Sequence, residues 1–251
     1  MDKLIYTAFN TVNNIYDNRS VRAQNMANIN VPGYRRDLGA KAVGSAFLDN
    51  MTSLQTRALA IRDDNNFFER TPGTLSQTDY DLDIAIRGDG FFIVKGPGEI
   101  SLSRRGDLSV SGTGILENGS SHAMLNANLE PIQVPAYRSI KISDDGDVII
   151  EPLGSEPGTK QIIGRIALTL AAEKELKKYP DGEIRPVDGT APEIDADVVV
   201  VPQHVELSNV NITDELINSI EDQRQYEINI KLISSASEID EAGASLIRMP
   251  S

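Results

Sequence analysis

Residues 3–30 contain neither Gly nor Pro, and the same holds for "NVNITDELINSIEDQRQYEINIKLISSASEID", Asn209 to Asp240. Two uninterrupted stretches of this length, one at each end, constrain the fold more than any other feature. With no residue that breaks a helix, each stretch is predicted to form a long one. In the first, Ile5, Ala8, Phe9, Val12, Ile15, Tyr16, Ala23, Met26 and Ala27 fall on one stripe at 100° per residue. "NVPGY" then supplies stop signals in Asn30, Pro32 and Gly33. Asn25, Asn28 and Asn30 crowd the last turns, where their amides suit specific contacts or capping better than helicity. In the second stretch, Asn211 or Thr213 can cap the start, and Asp214 and Glu215 favour the first turn. Its apolar residues divide. Ile212, Leu216, Ile220 and Ile230 share one face, while Leu232, Ile233, Ala236, Ile239 and Ile247 lie toward another. Its centre, "EDQRQYE", is polar where a helix serving its own core should be apolar.

Between these ends the chain reads as β. "DLDIAI" alternates, "RGDG" turns and "FFIVKG" runs apolar. "SIKISDDGDVIIEP" has a hairpin pattern with Asp145-Gly146 at the turn, and "QIIGRIALTLA" and "DADVVVVPQHVEL" add strands. The expected order is an N-terminal helix over 1–33, an extended linker region over 34–80 with β structure near Thr74, a β-rich central domain over 81–203 and a C-terminal helix over 204–251. The fold class is mixed α and β, with long terminal helices and an all-β centre. The simplest way to bury both helical stripes is against each other, in a coiled-coil-like layer outside the β domain. Charge agrees: residues 1–36 carry five Lys/Arg against two Asp/Glu, and residues 204–251 carry three against nine.

Composition narrows the chemistry. A net charge of −13 opposes nucleic-acid wrapping, and a chain without Cys has no disulfides, thiolate metal site or Cys nucleophile. The start, "MDKLIYTAFNTVNNIYDN", lacks a basic and then apolar leader, and no apolar run approaches the ~20 residues that span a bilayer. Asp79, Asp81 and Asp83 superficially suggest a calcium loop, but Ile84 and Gly90 stand where that loop needs Gly and Glu. His122 and His204 lie far apart and in no catalytic motif. Neither enzyme chemistry, a metal, a cofactor nor a small-molecule substrate is expected.

Four segments together resemble the flagellar basal-body rod and hook family of axial proteins. "NMANINVPGYRR" carries the first match through Asn25, Ala27, Asn28, Asn30, Gly33 and Tyr34. "DLDIAIRGDGFFIV" carries the second through Asp83, Ala85, Ile86, Gly88, Gly90, Phe91 and Phe92. "RRGDLSVSGTGIL" resembles the next strand–turn unit. "VELSNVNITDELINSIEDQRQYEINIKLI" carries the fourth through Glu206, Ser208, Asn209, Val210, Asn211, Glu215, Gln223, Arg224, Tyr226 and Glu227. Val31 stands where the family has Thr, and Met26 where it has Leu. "MDKLIYTAF" and "ASLIR" look most like the proximal-rod branch, with the distal-rod and hook branches as the alternative.

The resemblance implies a structural subunit of the proximal rod that polymerises helically and transmits torque. A β-domain hydrolase or binding module with helical flanks is the remote alternative. The implied partners are other copies of the chain, other proximal- and distal-rod proteins and the flagellar export apparatus. The implied location is the basal body, spanning the periplasm and reached without a cleaved signal peptide. The terminal helices would form the innermost layer. The expected subunit-interface residues are Ile5, Val12, Ile15, Asn25, Asn28, Asn30, Gly33 and Tyr34 at one end. At the other they are Asn209, Asn211, Leu216, Ile220, Gln223, Arg224, Tyr226, Glu227 and Ile230. In such a layer Gln223, Arg224 and Glu227 would bond across subunits, and Tyr226 would anchor the contact.

Overall fold

The computed structural model describes residues 2–39, 67–96, 98–179, 181–195 and 197–247, together with side chains outside the first helical turns and the last. The expected linker therefore lies mostly outside the described residues. The chain divides into two compact units that do not follow chain order. The first unites residues 1–27, 37–66 and 211–251; the second unites 28–36 with 67–210.

Among the described residues, the first unit is built on two helices, α1 (Asp2–Ala27) and α2 (Ile212–Ile247). Asn211 caps α2, its side-chain oxygen accepting from the Thr213 N–H at 2.9 Å; Thr213 is inside the helix rather than its cap. Asn25 bonds Glu215, and Arg22, one turn earlier, bonds Asp222, two turns later. The helices therefore run antiparallel.

The second unit is mostly β. Its largest sheet has eight strands. In spatial order these are Leu176–Lys178, Ile184–Pro186, Ile100–Ser103, Phe91–Lys95, Ala123–Met124, Leu116–Asn118 and Leu108–Val110, with Leu168–Thr169 also paired to Phe91–Lys95. The apolar run "FFIV" is explained by its place in this sheet. Phe92 and Val94 enter one buried cluster, with Ile84, Leu116, Met124 and Ile150. Phe91 and Ile93 enter another, with Phe68, Leu102, Leu125 and Ala167. A strand buried on both faces has no polar alternation to show.

A three-stranded sheet joins Tyr137–Ile142, Asp147–Pro152 and Gln161–Arg165. The first two form the expected hairpin. Gly146 takes the positive φ of +80° that the turn requires, and the Ser143 N–H closes onto the Asp147 carbonyl at 3.0 Å. Ile140, Ile142, Val148 and Ile150 line its buried face. Two short pairs complete the unit, Ile84–Arg87 with Val199–Pro202 and Leu75–Gln77 with His204–Glu206.

Candidate functional site

Two features concentrate the residues singled out from the sequence, one in each unit. The first is the helix pair. Where the end of α1 meets the start of α2 its contacts are polar. Glu215 is fully buried; its carboxylate takes the Asn25 amide at 3.3 Å and lies 3.5 Å from Arg22 Nη1. Arg22 Nε also reaches Asp222 at 2.5 Å. Asn25 is buried because its amide completes the backbone of Asp37. Its Nδ2 donates to the Asp37 carbonyl at 3.0 Å, and its Oδ1 accepts the Asp37 N–H at 2.9 Å.

Asp222, Tyr226, Asn229, Ile233 and Ala236 continue this face of α2 at alternating four- and three-residue steps, each buried or half-buried. The opposite arc is exposed and mixed, with apolar residues interleaved among Thr213, Gln223, Arg224, Glu227 and Lys231. It carries Ile212, Leu216 (50% exposed), Ile217, Ile220 (71%), Ile228, Ile230 and Ile239. The expected meeting of apolar stripes holds only in part: Ile233 and Ala236 are on the buried face, but Glu215 and Asp222 share it, while Leu216 and Ile220 face solvent. A basic side chain on α1 makes the arrangement feasible, because Arg22 compensates the two carboxylates that α2 buries. On α1 itself Ala8 and Ile15 are buried and Val12 is half-buried, while Phe9 and Tyr16 of the same predicted stripe are exposed. The side chain of Ile5 is outside the described ones. Gln223, Arg224 and Glu227 are exposed, with the Gln223 amide donating to Glu227 one turn on at 3.1 Å.

The second feature is a charged joint in the β-rich unit. Glu206 (0% exposed), Arg104 (1%) and Arg35 (2%) meet with no access to water. Arg35 Nη1 donates to Glu206 Oε1 at 2.5 Å, and Arg104 Nε donates to Oε2 at 2.6 Å. The Gly73 N–H adds a third donor at 2.8 Å, and the Gly33 N–H takes the Glu206 carbonyl at 2.7 Å. Arg104 spends its remaining donors on the carbonyls of Ile86, Gly88 and Gly90, which accounts for the compact "RGDG" turn. Burial pulls both guanidiniums below their ordinary pKa, and the Glu206 carboxylate opposes that pull.

Around this cluster the family-like residues of both ends interlock. Gly33 has φ +67°, and a Cβ there would fall 2.3 Å from the Arg104 backbone, so only Gly fits. Lys178 Nζ sits 3.8 Å over the Tyr34 ring and donates to the Arg35 carbonyl at 2.9 Å. The Asn209 side chain accepts the Arg36 N–H at 2.7 Å and donates to the carbonyls of Glu69 and Thr71. Asn28 closes a turn through its carbonyl to the Val31 N–H, and Asn30 is exposed. Thus Gly33, Tyr34 and Asn209, expected at a subunit interface, are engaged within the chain. Arg35 and Arg104 were not anticipated as functional residues.

The histidines and the early aspartates also have partners. His122 Nε2 faces Glu183 at 3.1 Å and His204 Nδ1 faces the Pro202 carbonyl at 2.8 Å. Asp79 accepts from Gln77, and Asp81 from Gln203. Among the described residues no helix is long and apolar enough to cross a membrane.

Comparison with known proteins bears on both features. Residues 85–150 match the family described as flagellar hook protein FlgE/F/G D1 domain. Residues 201–246 match that described as flagellar basal body rod FlgEFG protein C-terminal. The flagellar basal-body rod protein FlgF of Escherichia coli is 31% identical over 97% of this chain and 96% of its own. FlgF of Salmonella typhimurium is 29% identical over 99% and 100%, and FlgG of Bacillus subtilis 26% over 95% and 97%. Two matched segments in order, and end-to-end similarity above 30%, lead to one conclusion: the chain belongs to the flagellar basal-body rod protein family and is of the FlgF type.

Proposed function

We propose that the chain is a structural, non-catalytic subunit of the proximal rod, with α1 and α2 in the innermost layer of a helical tube that transmits torque. The observation that carries this reading is the exposed isoleucine face of α2. Ile212, Leu216, Ile217 and Ile220 lie within little more than two turns, each about half exposed or more. An apolar arc of that extent is what a polymer contact would cover. A heterologous contact that does not close on itself gives a helical filament.

The interface residues assigned to this contact are Leu216, Ile220 and Ile230 on the apolar arc, with Gln223, Arg224 and Glu227 beside them. Ile5, Val12, Ile15, Asn25, Asn28, Asn30, Asn211 and Tyr226 hold or flank the pair; Gly33, Tyr34 and Asn209 anchor the segments leading out of it. The partners are further copies and neighbouring rod proteins. Delivery is through the flagellar export apparatus to the periplasmic part of the basal body.

The test is Ile220→Lys together with Leu216→Lys in the cell. Swimming and rod completion should be lost while the purified variant melts like the parent, since both positions face solvent. Normal motility would refute the reading. Basal bodies from a deletion strain separate this from a distal-rod role: the proximal segment, not the distal one, should be missing.

A further inference from the structure

Two short segments of the β-rich unit adjoin the helices in sequence: residues 28–36, which follow α1, and 204–210, which precede α2. Both are held in the β-rich unit by the same carboxylate. If 33–36 withdrew alone, Glu206 would keep Arg104 and the Gly73 N–H but lose Arg35 from Oε1, and its carbonyl would lose the Gly33 N–H. If 204–210 withdrew alone, Arg35 and Arg104 would face each other without the carboxylate they share. Leaving one side of a buried ion cluster in place is far costlier than removing the whole. The backbone adds to the coupling, because Asn209 bonds the Arg36 N–H and its own N–H points at the Tyr34 carbonyl at 3.4 Å.

We propose that Arg35, Glu206 and Arg104 make the two connectors dock as one cooperative element, so that neither is held on the sheet without the other. Arg35 and Glu206 are 171 positions apart. In a chain that emerges amino end first, the connector after α1 therefore stays undocked until residue 206 has arrived. The joint then closes both connectors in a single step. It is a latch that reads the presence of nearly the whole chain. It acts within one molecule, so its test needs no polymer.

Amide exchange on the full-length protein reads the latch at two places. The Arg36 N–H bonds Asn209, and the Leu207 N–H bonds the Thr74 carbonyl, away from Gly33. Gly33→Ala keeps every charge but drives a Cβ into the Arg104 backbone. Both amides should then exchange faster by about tenfold or more, while Ile93 and Ala167 in the sheet keep their protection. Glu206→Gln, which keeps the shape and removes the charge, should do the same. Faster exchange at Arg36 with Leu207 unchanged would overturn the proposal, because the connectors would then dock independently. So would unchanged exchange at both, or loss of Ile93 protection together with them, since the joint would then not be separable from the sheet.

Discussion

Arg22→Met tests the polar seam between the helices most directly. Glu215 is fully buried, and Asp222 nearly so. Removing Arg22 takes away the cation 3.5 Å from one carboxylate and 2.5 Å from the other. Breaking a buried pair from one side costs about 3–5 kcal/mol. Arg22 is itself one-fifth exposed, and Asn25 still donates to Glu215, so water and the amide recover part of that. The expected loss is about 2–3 kcal/mol for the helix pair. The assay is urea unfolding followed by helical circular dichroism at low concentration, with exposed Arg224→Met as control, expected within about 0.5 kcal/mol of the parent. Adding Glu215→Leu to Arg22→Met should recover about 1–2 kcal/mol, because the buried charge is gone. If Arg22→Met unfolds within about 0.5 kcal/mol of the parent, the seam is not electrostatic.

Three further outcomes follow from single contacts. Gly106→Ala should cost about 2–4 kcal/mol in a thermal melt, because its Cβ would lie 1.7 Å from the Ile84 carbonyl oxygen, whereas Gly112→Ala has open space and should cost almost nothing. Asn25→Leu should lose about 1–3 kcal/mol of helix stability by leaving the Asp37 N–H and carbonyl without the amide that completes them. The Asp188 carboxyl, hydrogen-bonded by Lys174 and then by Thr190, is lowered from 3.8 to about 2. A depressed folded pKa makes its contribution present above 3.8 and lost as pH falls through about 2. Carboxyl NMR should show that low midpoint, and Lys174→Met should raise it; a midpoint unmoved by the substitution would exclude the ion pair as its cause.

Local signals survived into the structure where local physics decides. The hairpin at residues 137–152 was legible because period-two alternation and an Asp-Gly turn are both short-range. Both helices were legible from the absence of breakers and from Asn211 as cap. The orientation of α2 was not. Periodicity assigns apolar residues inward, and nothing near Glu215 or Asp222 reveals that Arg22, roughly two hundred positions away, will compensate them. The joint was hidden for the same reason. Arg35 in "YRR" and Arg104 in "SRRGD" each read as a solvated charge, and their common partner lies 171 and 102 positions on. The available clue was Glu206 directly after the buried Val205 in "HVEL", a carboxylate at the end of a strand. Gly33, Tyr34 and Asn209 carry family signatures, but a motif names residues without saying whether they face a neighbour or their own chain.

The side-by-side seating of residues 33–36 and 204–210 also bears on how such a subunit can diversify. The first and last segments of the β-rich unit bond to each other, so the unit is closed at its own ends. Its decorations can lengthen, shrink or be exchanged wholesale, and the graft succeeds provided Gly33, Arg35, Arg104, Glu206 and Asn209 travel with it or are matched by the recipient.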